Sequence, residues 1–193
     1  RAAEAAGFDS VWAGEHIVLP DPQVPPSPMS PQDPALESLL ALTWAAAHTT
    51  TIRLATGIVI LPQRNPVVLA KQVATLDVLS GGRFTLAVGA GYLKGEFAAL
   101  GVDHGESNDL MDEALDVLVA IWSGFDLSGE GRHLSARRLS VRPRPMSDPH
   151  PPVWIGGNGP RARQRVAERG QGWCPFAAPA TLARTARTVP LDT

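Results

Sequence analysis

The chain has 193 residues, 44% of them hydrophobic and 19% charged, a composition that excludes a disordered polymer and suffices for a buried core. Its 17 basic and 19 acidic side chains leave a formal charge of −2, which argues against a nucleic-acid partner held by bulk electrostatics. A single cysteine, Cys174, excludes an internal disulfide and a multi-cysteine metal cage. No apolar run reaches the ~18–20 residues of a membrane span and no signal peptide opens the chain, so no membrane partner and a cytoplasmic location are expected.

The opening Arg1-Ala2-Ala3-Glu4-Ala5-Ala6 reads as the tail of a helix, and the chain therefore as a fragment. Ser10–Ala13 is a short apolar run that suggests a buried strand. The stretch 17–34 carries seven prolines and forms a long loop, since proline suits neither helix interiors nor central strands. Asp33-Pro34 predicts a helix start, with Leu36, Leu39, Leu40, Thr43 and Ala47 at helical spacing up to about His48. Ile52–Leu61 is almost entirely apolar and β-branched, as in a parallel strand buried on both faces.

Asn65-Pro66 repeats the cap-plus-proline signal, Leu69, Val73, Leu76 and Leu79 mark one helical face, and Gly81-Gly82 ends it. Phe84–Val88 reads as a strand stopped by Gly89-Ala90-Gly91. Met111, Leu115, Leu118 and Trp122 predict a helix. Residues 124–152, rich in glycine, proline and arginine, break the rhythm and read as a hairpin-like insertion with a connector. Val153–Ile155 predicts a strand, Gly156-Gly157-Asn158-Gly159 a turn, and Pro160 a helix to about Arg169. Trp173–Phe176 predicts a last strand and Thr181–Arg187 the start of one more helix. Strands alternating with helices imply a parallel sheet of right-handed βαβ units in one domain over 1–193. An open doubly wound sheet and a (β/α)8 barrel both satisfy the pattern.

In either architecture the site lies at the carboxyl ends of the strands. There His16 can relay protons near neutral pH, or stand in a solvated loop. Gly57 marks a bulge, a close ligand approach or plain packing. Gly89-Ala90-Gly91 lets backbone approach a flat ligand but lacks the third glycine of a dinucleotide fingerprint. Gly156-Gly157-Asn158-Gly159-Pro160 places backbone N–H groups at a helix N-terminus, a ready anion site beside Arg161, Arg163 and Arg165, or an ordinary tight turn. Arg132, Arg137, Arg138, Arg142 and Arg144 read as a solvated face. His104, His133, His150 and Cys174 show no metal-ligand spacing, so no metal is expected.

Several blocks resemble the bacterial-luciferase-like oxidoreductases. They are Gly7-Phe8-Asp9-Ser10-Val11-Trp12-Ala13-Gly14-Glu15-His16, Asn65-Pro66-Val67 with Ala70-Lys71-Gln72, Leu76-Asp77-Val78-Leu79-Ser80-Gly81-Gly82-Arg83, Val88-Gly89-Ala90-Gly91-Tyr92 and Pro152-Val153-Trp154-Ile155-Gly156-Gly157-Asn158. The branch using the deazaflavin F420 is the most similar. The resemblance implies a (β/α)8 TIM barrel, here incomplete. About five parallel strands stand for the second to sixth, and the first and last two are missing.

It further implies that His16 faces the reactive ring and moves protons, and that Gly57-Ile58 is a bulge with a non-proline cis peptide behind the ring. Gly89 and Gly91 would lie near ring and tail, and Gly156, Gly157 and Asn158 would help to hold the cofactor phosphate. Tyr92 stands where sugar-phosphate-oxidising relatives carry a glutamate, which weighs against that substrate class. The implied reaction is hydride transfer between F420 and a small organic substrate, by a homo-oligomer in full-length form. The alternatives are an FMN-dependent monooxygenase and a non-catalytic remnant of the barrel.

Overall fold

The computed structural model describes residues 1–124, 127–131 and 134–176. The elements run in chain order as α1 (Ala2–Ala5), β1 (Ser10–Ala13), α2 (Ser38–His48), β2 (Arg53–Thr56), β3 (Val59–Ile60), α3 (Pro66–Ser80), β4 (Phe84–Gly89) and α4 (Lys94–Ala99). They continue as α5 (Ser107–Trp122), β5 (Leu127–Glu130), β6 (Ser135–Leu139), β7 (Val153–Gly156), α6 (Pro160–Arg169) and β8 (Gly172–Cys174). The main sheet is parallel in the order β1-β2-β4-β7-β8, with β3 adding to β4. The chain is thus an α/β half-barrel, as expected of an incomplete (β/α)8 fold.

Curvature is visible in one contact. A flat sheet would hold β1 and β7 about 14 Å apart, three spacings of about 4.8 Å. Instead Trp12 on β1 and Trp154 on β7 meet with ring centroids 5.3 Å apart. Gly172 makes room for one of them, since a Cβ there would overlap the Trp154 indole. Leu54, Phe84, Leu86, Val88 and Ile155 pack with Leu69, Val73, Met111 and Leu118 of α3 and α5 into one core. Every residue of β4 is buried, which accounts for its unalternating apolar sequence.

Local chemistry sets several boundaries. Asn65 Oδ1 accepts from the Val67 and Val68 amides and Pro66 begins α3. Gly81, in the left-handed region at φ 70°, returns its N–H to the Asp77 and Val78 carbonyls and ends the helix. The Arg83 guanidinium then donates to the Ser80, Ile52, Thr49 and Ala46 carbonyls, tying the end of α2 to the sheet. The buried Asp77 accepts from the Met146 and Ser147 amides and the Ser147 hydroxyl, which anchors the connector after the β5–β6 hairpin. That antiparallel hairpin matches the expected insertion.

Three expectations are corrected. Asp33-Pro34 does not start α2: Asp33 accepts from the Ser30 amide within the loop, and Glu37 caps the helix at the Leu40 amide, 2.7 Å. The run Ile52–Leu61 is two strands, β2 and β3, broken at Gly57-Ile58, whose peptide is cis, and followed by a 3-10 turn over Leu61–Gln63. The last strand closes at Cys174 rather than Phe176, because Asn158 Oδ1 takes the Phe176 amide. Helix α4 was not anticipated. The helix expected from Thr181, together with Arg132 and His133, lies outside the described residues.

Candidate active site

A cavity of about 910 Å³ opens at the carboxyl ends of the strands, at the upper end of the range for small-molecule sites. His16, Gly57, Ile58, Gly89, Gly91, Gly156, Gly157 and Asn158, read separately along the sequence, all line it.

Its floor is built around Ile58, which lies against Gly89 of β4 and Gly156 of β7. A Cβ at Gly89 would overlap Ile58 Cδ1, and one at Gly156 would lie 2.6 Å from it. These two glycines therefore make room for the Ile58 side chain. Gly91, at φ 78°, is likewise closed in by Ile60 and Phe97.

At the rim, His16 follows β1 with its side chain 11% exposed, and its Nδ1 stands 3.7 Å from Glu96 Oε1. Glu96 comes from α4 and is buried. It accepts from the Ile17 amide at 2.7 Å, the Val18 amide at 3.4 Å and Gln63 Nε2 at 3.2 Å. Burial raises the carboxyl pKa, but His16, Gln63 and the Ile17 N–H outweigh it and hold Glu96 below its ordinary range. Tyr92 meets His16 edge-on at 6.3 Å and stacks on Phe176 at 5.7 Å. Burial, and then the Glu96 charge, push its phenol upward, so Tyr92 remains protonated at neutral pH.

Glu15 diverges from its neighbour, as adjacent residues leaving a strand do. It accepts from Ser38 Oγ at 2.9 Å, the Ile60 amide at 3.3 Å and Arg64 Nη2 at 2.5 Å. Arg64 also reaches Glu37 at 2.7 Å. Desolvation works against the guanidinium, and the two carboxylates overcome it and raise its pKa. This trio fastens the end of β1 to α2 and to the turn before α3.

The opposite end is polar. Asn158 is buried and exchanges two hydrogen bonds with the Phe176 backbone. The Gly157 amide donates to the Cys174 carbonyl at 3.1 Å, so it is not a free anion donor, which corrects that part of the expected phosphate turn. Arg161 and Arg165 line the cavity, yet their guanidinium groups close on α5: Arg165 reaches Asp112 at 2.6 Å and Asn108 at 3.0 Å, and Arg161 reaches Asp109 at 2.7 Å. Desolvation raises the Asp112 pKa, and the two arginines outweigh it and lower it. Ser107, 1% exposed at the start of α5, lines the cavity with a hydroxyl that has no partner among the described residues. Glu96 and Ser107 escaped the sequence reading, because each acquires its role from tertiary neighbours and sits on no motif.

The family model described as luciferase-like monooxygenase matches residues 1–191. The chain is 34% identical over 112 residues to the FMNH(2)-dependent dimethylsulfone monooxygenase of Pseudomonas putida, covering 56% of this chain and 31% of that protein. It superposes on the crystal structure of monooxygenase RslO1 from Streptomyces bottropensis with a TM-score of 0.76 at 28% identity, covering 89% and 49% of the two chains. On the coenzyme F420 dependent tetrahydromethanopterin reductase of Methanopyrus kandleri the TM-score is 0.71 at 24% identity, over 91% and 50%. Over curated relatives matched along 73% to 90% of this chain, it spans 36% to 64% of their length. Among the described residues, no helix is long and apolar enough to cross a membrane.

Proposed function

The chain belongs to the luciferase-like monooxygenase family, and from that premise we propose that its cavity binds a flavin-type cofactor and serves an oxidoreductase acting on a small organic substrate. The observation that carries this reading is the meeting of the His16 rim, the Gly57-Ile58 floor and the α6 N-terminus around one cavity at the strand ends. The residues fit such a group: the floor of Ile58 and glycine backbone suits a flat ring, and the orphaned Ser107 hydroxyl suits an anionic tail. When bound, the cofactor supplies hydride transfer in the F420 case, or oxygen activation in the FMN case.

The chain's own residues orient and move protons. Ile58, seated in the space left by Gly89 and Gly156, would support the ring from behind, with the Gly91 backbone beside it. Ser107, next to Asn158 and the first turn of α6, would hold the tail. With Nδ1 turned toward Glu96, His16 has Nε2 left for the cavity, and it gives or takes the substrate proton there. Phe176 and Tyr92 form an aromatic wall that excludes water from that proton.

F420-linked hydride transfer is the first reading and FMN-linked monooxygenation the second. The second is favoured by the FMNH(2) dependence of the Pseudomonas relative. The absorption spectrum of protein purified from a host that makes both cofactors tests them. A deazaflavin spectrum supports the first, a flavin spectrum the second, and protein that takes up neither is the non-catalytic remnant.

A further inference from the structure

The two ends of the cavity differ in chemistry. Over β7, α6 and the start of α5 stand Ser107, Asn108, Asn158, Arg161 and Arg165. Over β1 and β2, on the far side of the sheet order, Pro28, Met29, Ala35, Leu36 and Ala41 line the cavity, next to His16 and Glu15 at the end of β1. The loop that supplies most of this second wall has few donors to offer. Its prolines lack an N–H, and several of its remaining amides are engaged within it: Ser27 to the Val24 carbonyl at 3.0 Å, Ser30 to the Asp33 carboxylate at 2.9 Å and Gln32 to Ser30 Oγ at 3.2 Å. The Ser27 hydroxyl is turned onto the Met29 carbonyl at 2.9 Å.

Charge points the same way. Arg64 is the cation at this end, and Glu15 and Glu37 both close on it, so two carboxylates face one guanidinium. The nearby Glu96 adds a further anion beside His16. A carboxylate, sulfonate or phosphate brought here would lose its hydration beside three carboxylates and an arginine already shared by two of them, with His16 and Tyr92 as the polar groups it could meet.

We propose that the substrate is an uncharged organic molecule with an apolar body lying against Pro28, Met29, Ala35 and Leu36, its reacting carbon toward His16. This rests on the oxidoreductase reading for the word substrate, while the selectivity of the wall is measurable by itself. Met29 suits such a role because its unbranched thioether adapts to different apolar shapes. Leu36 is 74% exposed, so it is held by no core packing and is free to cover a ligand.

The test is calorimetric titration of the 193-residue chain with 1-octanol, octanoate and glucose 6-phosphate, with FMN and F420 titrated separately. The expected result is 1-octanol bound at least tenfold more tightly than octanoate, no binding of glucose 6-phosphate, and a gain on the order of tenfold from 1-hexanol to 1-octanol. Leu36→Asp, at an exposed position, is expected to weaken 1-octanol on the order of tenfold. Octanoate or glucose 6-phosphate binding as well as the alcohol, an alcohol that does not bind, or an unchanged Leu36→Asp variant overturns the proposal. Cofactor binding without octanol binding defeats this inference alone. Octanol binding without cofactor binding defeats the oxidoreductase reading and leaves the apolar selectivity of the wall standing.

Discussion

His16 Nδ1 and Glu96 Oε1 stand 3.7 Å apart, with the two side chains 11% and 2% exposed. The carboxylate is fixed by the Ile17 amide one residue beyond the histidine, so Glu96 holds the backbone next to the imidazole and places its charge near one ring nitrogen. Glu96→Gln keeps the shape and removes the charge. It is expected to lower turnover roughly tenfold while cofactor affinity stays within a few-fold, and to flatten the acid limb of the kcat/KM profile. Because Glu96 is held below the ordinary carboxylate range, that limb belongs to acid in which the wild-type carboxylate takes up its proton.

His16→Ala is expected to cut turnover by about 10²–10⁴-fold with cofactor still bound. Turnover within a few-fold of wild type would leave the imidazole a packing residue.

Ser107 separates binding from stability. Its hydroxyl makes no hydrogen bond among the described residues, so Ser107→Ala removes nothing that stabilises the fold. The variant is expected to melt within about 1 °C of wild type and to bind cofactor roughly 2- to 10-fold more weakly. A large loss of stability with unchanged affinity would place the hydroxyl in the scaffold.

Acid should loosen the first helix from the sheet. Glu4 accepts from the Thr51, Ile52 and Thr50 amides, and those bonds bring its pKa down to about 2. A carboxyl depressed on folding stabilises fully above its unfolded value and progressively less as pH falls through the folded one. Glu4→Gln should therefore lower the Tm at pH 7, and the gap to wild type should close between about pH 4.5 and 2. A gap independent of pH would contradict the assignment.

Much of the fold was legible because its signals are local. Asn65-Pro66 and Gly81 cap α3 with their own atoms, and Val153–Ile155 is an apolar run seated in a covered sheet, whereas Ser10–Ala13, expected to be buried, is a strand with one neighbour among the described residues and Trp12 43% exposed. Asp33-Pro34 misled for the opposite reason. Glu37 wins the cap partly because Arg64, 27 residues away, fixes its carboxylate. At the site, the positions of His16, Gly57, Gly89 and Gly157 followed from reading strand ends, and the cis peptide at Gly57-Ile58 from family resemblance. Glu96 was invisible, since its partners come from the loop after β1 and the turn before α3.

Within the sheet, β1 and β8 each pair with one neighbour among the described residues. Strand edges of this kind invite pairing with another chain. The 193-residue chain is expected to elute above its monomer mass in size exclusion. A monodisperse monomer that melts cooperatively would contradict this.

The claim that the cavity holds a flavin-type ring is met most directly by titrating FMN and F420 into wild type and Gly156→Leu under identical conditions. A side chain at Gly156 must displace Ile58 from the floor, since even a Cβ there comes within 2.6 Å of it. Saturable binding of one cofactor by wild type, weakened at least tenfold by Gly156→Leu in protein that still folds, is the predicted result. Wild type that binds neither cofactor, or a variant that binds as tightly as wild type, would contradict the account.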